Sequence, residues 1–153
     1  MNETNKTQGK VLDFRNASSA IILDYQNNYL LQLRDSIEGI FYPNHWGLFG
    51  GALEFNEDPV DGLIREINEE LSITIDKFSF FTDFKYNLSQ LGKDTVTRAY
   101  FVAKIDKLQI DEIQLKEGQR FEFFSYENFN KINNKVPYDA FAIWLHANFL
   151  INN

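Results

Sequence analysis

The sequence predicts a single α+β domain, and three observations carry that prediction. Two segments alternate apolar and polar residues with a period of two, and two others carry apolar residues at helical spacing. The chain is also 153 residues long with 44% hydrophobic residues and 15 Phe, enough to bury one core. Residues 1–17 read as a polar lead-in and 18–153 as the domain.

The elements follow in order. Ala20-Ile21-Ile22-Leu23 and Tyr29-Leu30-Leu31-Gln32-Leu33 flank the polar Gln26-Asn27-Asn28, which predicts a β-hairpin. Residues 35–45 read as a loop, with Gly39, Pro43 and Asn44, and lead into Trp46-Gly47-Leu48-Phe49-Gly50-Gly51, where paired glycines predict a tight turn or a close backbone approach. A helix is expected from Asp58 as N-cap, with Pro59 at the first helical position, to about Leu71. Its Leu63, Ile67 and Leu71 form an apolar stripe. Gly62 inside it costs about 1 kcal/mol against Ala, which predicts a close neighbour at that point. Phe78, Phe80, Phe84 and Tyr86 alternate with polar residues as one strand, Thr95 to Ile105 as its partner across Gly92-Lys93-Asp94, and Phe121 to Tyr126 as a further strand. Residues 138–150 place Phe141, Trp144, Leu145 and Phe149 at helical spacing, which predicts a last helix packed on the sheet.

Charge and composition exclude several functions. Fifteen Lys and Arg against 22 Asp and Glu give a net charge of −7 and a pI near 4.8. That balance disfavours DNA and anionic membrane surfaces, which both need a cationic face. With no cysteine, disulfides, thiolate zinc sites and cysteine nucleophiles drop out together, so any metal is held by oxygen or imidazole. His45 and His146 are too isolated to argue a histidine site. The start of the chain lacks a signal-peptide core and no run of 18 apolar residues occurs, so a cytoplasmic location is expected. The sequence leaves a homodimer open.

The chemistry concentrates between Gly51 and Ile73. On the expected helix, Glu66, Glu69 and Glu70 stand at i, i+3 and i+4, so their carboxylates leave one face within about 5–6 Å of each other. Such like charges repel and raise at least one carboxyl pKa unless a cation neutralises them. A hard divalent ion suits an all-oxygen set. A Glu-rich helix face is by itself more often simply solvated. The spacing of the surrounding residues changes the weight, because the joint match is expected by chance on the order of once in a million chains of this length.

Gly51, Glu57, Arg65, Glu66, Ile67, Glu69, Glu70 and Ile73 resemble the Nudix box, Gly-x5-Glu-x7-Arg-Glu-U-x-Glu-Glu-x-Gly-U with U bulky and aliphatic, except that Ser72 stands where the family has glycine. Trp46 to Glu54 is similar to the family's approach strand, with Phe49 in place of the usual proline. Glu117-Gly118 and the stretch from Phe121 to Phe129 resemble the late strand and short helix. The resemblance implies an α/β/α sandwich with a curled mixed sheet between helices, and a hydrolase acting on phosphoric anhydride bonds.

In such an enzyme, Glu66, Glu69 and Glu70, with the Gly51 backbone, would hold Mg²⁺ or Mn²⁺. Arg65 would orient a glutamate of the cluster, Glu57 would support it, and Glu117 would serve as an additional base or ligand. Trp46 and Arg98 are the candidate substrate contacts. The implied substrate is a nucleoside diphosphate linked to another moiety, a nucleoside triphosphate or nucleotide sugar first, cleaved by water attack on phosphorus. The alternative is a non-catalytic nucleotide-binding sensor.

Overall fold

The computed structural model describes residues 14–151; the first thirteen residues of the expected lead-in lie outside the described residues. Strand β1 (Ala17–Leu23) and β2 (Tyr29–Leu33) form the expected hairpin. Its turn is closed by Asp24, whose Oδ1 accepts from the Gln26 and Asn28 backbone N–H groups at 2.8 Å each. Away from that turn the two strands part. The short β3 (Trp46–Gly47) pairs with β2 and β4 (Phe49–Ala52) with the first half of β1, so one continuous stretch of chain bridges the split.

Helix α1 (Pro59–Leu71) follows, then β5 (Ser79–Tyr86), β6 (Val96–Lys104), α2 (Lys107–Glu112), β7 (Arg120–Phe124), α3 (Tyr126–Asn130) and α4 (Pro137–Ile151). β6 runs parallel to β1 from Arg98 to Lys104, while every other pairing between named strands is antiparallel, so the sheet is mixed. The strand path is β3-β2-β1-β6-β5, with β4 joined to β1 and β7 to β2.

Both faces are covered. On one, Leu63, Ile67 and Leu71 of α1 meet Ala20, Ile22, Phe49 and Phe101. On the other, Ala142, Ile143 and Ala147 of α4 and Phe129 of α3 meet Ile21, Leu31 and Tyr100. Because side chains alternate along a strand, Ile21 and Ile22 serve opposite cores, and β1 is buried on both sides. This is the α/β/α sandwich of an α+β domain.

Three expectations need correction. The phase of β5 does not hold from Phe78 to Tyr86, because a bulge between Phe80 and Thr82 shifts the register. The extra residue turns Phe81 as well as Phe84 toward α4, while Phe80 is left 62% exposed. The stripe expected for α4 is not its buried face either. Phe141, Trp144 and Phe149 are about half exposed, and Ala142, Ile143, His146 and Ala147 are buried instead. Small side chains let the helix settle close to the sheet, with the large rings displaced to its flanks against Phe84 and Phe81. Finally, α2 was not expected. Six residues are too few for a readable apolar period, although Asp106 and Gln109 form a complete capping box at its start.

Candidate active site

The start of α1 is built as its sequence indicates. Asp58 Oδ1 accepts from the Val60 N–H at 2.8 Å, and Pro59 occupies the first turn, where it removes no needed donor. At the other end Ser72 takes the left-handed conformation the family reserves for glycine, with φ 56° and ψ 26°, and donates its N–H to Asn68 O at 2.9 Å. The helix therefore keeps a left-handed end although the residue there is serine, which is strained in that conformation.

Arg65 organises the acidic groups. Its Nε and Nη2 donate to Glu57 Oε1 and Oε2 at 2.9 Å each, a two-pronged pair, and Nη1 donates to Glu66 Oε1 at 2.6 Å and lies 3.5 Å from Glu69 Oε2. Glu57 Oε2 also accepts the Glu54 N–H at 2.8 Å. The Arg65 bonds, with that backbone donor, hold the Glu57 carboxyl down at about 2. The neighbour predicted at Gly62 is now identified. A Cβ there would stand 2.5 Å from Leu53 Cδ2 and 2.9 Å from Glu57 Oε2, so glycine makes the room in which Glu57 reaches Arg65.

The glutamates differ in environment. Glu69 is the outermost, with its side chain 60% exposed. The Glu66 side chain is 16% exposed and lies against Gly51, where any Cβ would strike its carboxylate. Burial raises the Glu66 pKa despite Arg65, and the negative charges of Glu69 and Glu117 add to the rise. Glu70 is deepest, 5% exposed, with Oε2 accepting the Gly50 N–H at 3.0 Å. Burial pushes its carboxyl up to about 8, and the charges of Glu66 and Glu117 push the same way.

Glu117 is thus brought to the cluster from far along the chain. The Lys116 N–H donates to Glu70 O at 2.8 Å, and the Gly118 N–H to Asp35 Oδ2 at 3.2 Å, which pins the loop on both sides. Gly118 has φ 87°, in the region that favours glycine, and a Cβ there would meet Gln32 Oε1 at 2.8 Å.

A cavity of about 320 Å³ adjoins the cluster, with Gly50, Gly51, Arg34, Arg98 and Tyr138 in its wall. Arg98 is therefore at the cavity. Trp46 is not: it is 6% exposed, its ring edge-on to Phe124 at 4.9 Å and covered by Arg120 at 5.2 Å, which leaves no face for a substrate. Gln32, whose Nε2 donates to Leu48 O at 3.4 Å, and Asp139, which lies beside Arg98, were not singled out from sequence. Each had one signal, a polar residue inside an apolar run.

As the side chains stand, no three His, Asp or Glu among the described residues form a ready metal cage. Arg65 is the cation among the carboxylates. The donor set nonetheless fits a hard divalent ion, because Glu66 and Glu70 are oxygen donors whose pKa values are raised by burial and mutual repulsion, the condition a cation relieves.

Comparison with known proteins agrees with this geometry. The NUDIX domain family matches residues 13–145, and the chain belongs to that family, whose hydrolases act on pyrophosphate bonds. Among solved structures, a MutT protein from Methanosarcina mazei Go1 is similar at TM-score 0.71 and 20% identity, over 90% of this chain and 96% of that one. An Ap4A hydrolase binary complex from C. elegans is similar at TM-score 0.67 and 22% identity, over 92% of this chain and 100% of that one. The NUDIX domain of Shewanella oneidensis NrtR complexed with ADP ribose follows at 0.68 and 13%, over 98% and 94%. At these identities the likeness is one of fold. No match was found among curated proteins. Among the described residues no helix is long and apolar enough to cross a membrane.

Proposed function

We propose that this chain is a divalent-metal-dependent pyrophosphohydrolase that cleaves a nucleoside diphosphate linked to another moiety by water attack on phosphorus, acting in the cytoplasm. The observation that carries the reading is the Glu70 carboxyl, 5% exposed on the same helix face as Glu66, with its Oε2 accepting the N–H of Gly50 in the cavity wall. A buried carboxylate with a purely structural role is expected to have a cationic partner, and Glu70 has no ion pair among the described residues. This one is held in a state that favours exchange of its proton for a cation.

Glu66, Glu69 and Glu70, with the Gly51 backbone beside them, are the residues that would hold Mg²⁺ or Mn²⁺. When bound, the ion stabilises charge on the phosphoryl oxygens and makes water a better nucleophile at neutral pH. Arg65 and Glu57 are positioning residues, since their paired bonds fix where the Glu66 carboxylate points. Glu117, exposed and close enough for its charge to act on Glu66 and Glu70, is the residue we assign to accept the proton of the attacking water. Nucleoside triphosphates and nucleotide sugars are the first substrate classes.

The test is release of phosphate or pyrophosphate from a panel of nucleoside triphosphates, nucleotide sugars, ADP-ribose and dinucleoside polyphosphates, with and without each metal. Metal-dependent turnover in the wild type, lost in Glu69→Gln and Glu70→Gln, is the expected result. A second reading, a nucleotide sensor, draws on the likeness to the ADP-ribose-bound NrtR domain. Nucleotide binding equal in wild type and both variants, with no hydrolysis across the panel, would select it.

A further inference from the structure

Three of the chain's five arginines, Arg15, Arg34 and Arg98, line the cavity beside the glutamates, and among the described residues no Asp or Glu lines it with them. In a chain of net charge −7 this is a local reversal of sign. Arg98 is the most firmly placed. Its side chain is 22% exposed, its guanidinium lies 4.5 Å from the Tyr138 ring centroid, and its Nε is 3.7 Å from Asp139 Oδ1. That separation is too long for a hydrogen bond, and the buried Nε has no hydrogen-bond partner.

Asp139 is already satisfied by others. Its Oδ1 accepts the Tyr100 hydroxyl and its Oδ2 the Leu48 N–H, each at 3.0 Å. It therefore balances the charge of Arg98 and holds it in place without consuming its donors. Arg34, by contrast, uses its Nε, which donates to Phe41 O at 2.8 Å, and among the described residues its terminal nitrogens carry no hydrogen bond. Two guanidinium groups with spare donors in a half-enclosed space match the geometry of a phosphoryl group.

The cavity also has neighbours at both ends. Gly50 and Gly51 form one wall, and these same residues touch Glu70 and Glu66. At the other end Tyr86 and Tyr138 are shared with an open cleft of about 540 Å³, where Tyr42, Phe84 and Phe141 complete an aromatic lining. Carboxylates, arginines and aromatic rings thus follow one another along one surface.

The geometry points to a substrate that carries a further phosphoryl group beyond the cleaved diphosphate, seated against Arg98 and Arg34, with a flat ring beyond it in the aromatic cleft. This rests on the hydrolase reading and narrows it. Dinucleoside polyphosphates meet both parts of the requirement and nucleoside triphosphates supply the further phosphoryl group without a ring beyond it, whereas a nucleotide sugar would place a neutral hexose among arginines. Arg98 is the specificity-determining residue and Asp139 its positioning residue.

Two measurements test this. In chelator, calorimetry should show inorganic tripolyphosphate binding at least about tenfold tighter than pyrophosphate, the size of one charge-assisted contact. Arg98→Met should abolish the difference and Arg98→Lys restore part of it. In Mg²⁺, Arg98→Met should raise KM for diadenosine tetraphosphate about tenfold while leaving kcat within about threefold and KM for diadenosine diphosphate unchanged. Because Arg98→Met leaves Asp139 buried and unbalanced, Arg34→Met serves as a second variant if the first does not fold. Equal binding of the two inorganic probes by the wild type, or unchanged discrimination in the folded variants, overturns the assignment. Arg98-dependent tripolyphosphate binding without hydrolysis of any anhydride would sink the hydrolase reading and leave the cavity assignment standing. Equal kcat/KM for UDP-glucose and diadenosine tetraphosphate would do the reverse.

Discussion

Replacing Glu70 with glutamine removes a carboxyl that is 5% exposed and whose pKa burial raises from 4.5 to about 8. A raised carboxyl pKa means that the folded state favours the proton, so this contribution to stability is complete below pH 4.5 and is lost as pH rises through about 8. At about 1.4 kcal/mol for each pH unit, the full span from 4.5 to 8 corresponds to about 5 kcal/mol at most, a large share of a typical domain's stability. Urea unfolding of wild type and Glu70→Gln in chelator, at pH 5 and pH 8, reads this directly. The amide keeps the shape and an acceptor for the Gly50 N–H, so the variant should gain several kcal/mol on wild type between the two pH values.

Comparing the two proteins cancels titrating groups remote from Glu70, such as His146, whose burial lowers its pKa and acts in the opposite direction. Glu66 shifts in the same direction as Glu70 and is present in both, but its charge is one cause of the Glu70 shift, so Glu70→Gln removes that coupling together with the carboxyl. Glu57, held at about 2, changes stability only as pH falls below 4.5. Millimolar Mg²⁺ at pH 8 should return the lost stability to wild type, since an ion bound to the folded carboxylates acts by mass action, and should do little for Glu70→Gln. Parallel pH profiles, or equal Mg²⁺ responses, would refute the argument that Glu70 is an uncompensated buried carboxyl waiting for a cation.

Three further substitutions probe the scaffold. Arg65→Ala should lower both the urea midpoint and turnover, because it leaves Glu57 and Glu66 without their shared cation, and wild-type values in both assays would remove Arg65 from its organising place. Ser72→Gly should raise stability by about 1 kcal/mol, since it relieves a φ of 56° at the end of α1, and a lower Tm would contradict the observed cap. Gly62→Ala improves helix propensity by about 1 kcal/mol yet should destabilise the protein, because its Cβ would press on Leu53 and Glu57; a gain in stability would show that this contact yields freely.

Much of the site was legible without coordinates because it is local. Glu66, Glu69 and Glu70 share a helix face by periodicity alone, and Asp58-Pro59 marks where that helix begins whatever packs on it. The elements that went astray are those where packing overrides a local period. The β5 bulge and the small-residue face of α4 depend on what lies across the interface, which no window of the sequence contains.

The same division holds for chemistry. The sequence by itself determined the acidic helix, its arginine and the glycine against which the cluster rests, since these lie within 23 residues. Only the tertiary structure decided which glutamate is buried, that the loop carrying Glu117 closes on it, and that Trp46 packs inward while Arg15, Arg34 and Arg98 from three separate segments line one cavity. Burial and long-range charge are properties of what surrounds a residue, and here the surroundings come from chain positions as far apart as Arg34, Glu70 and Tyr138.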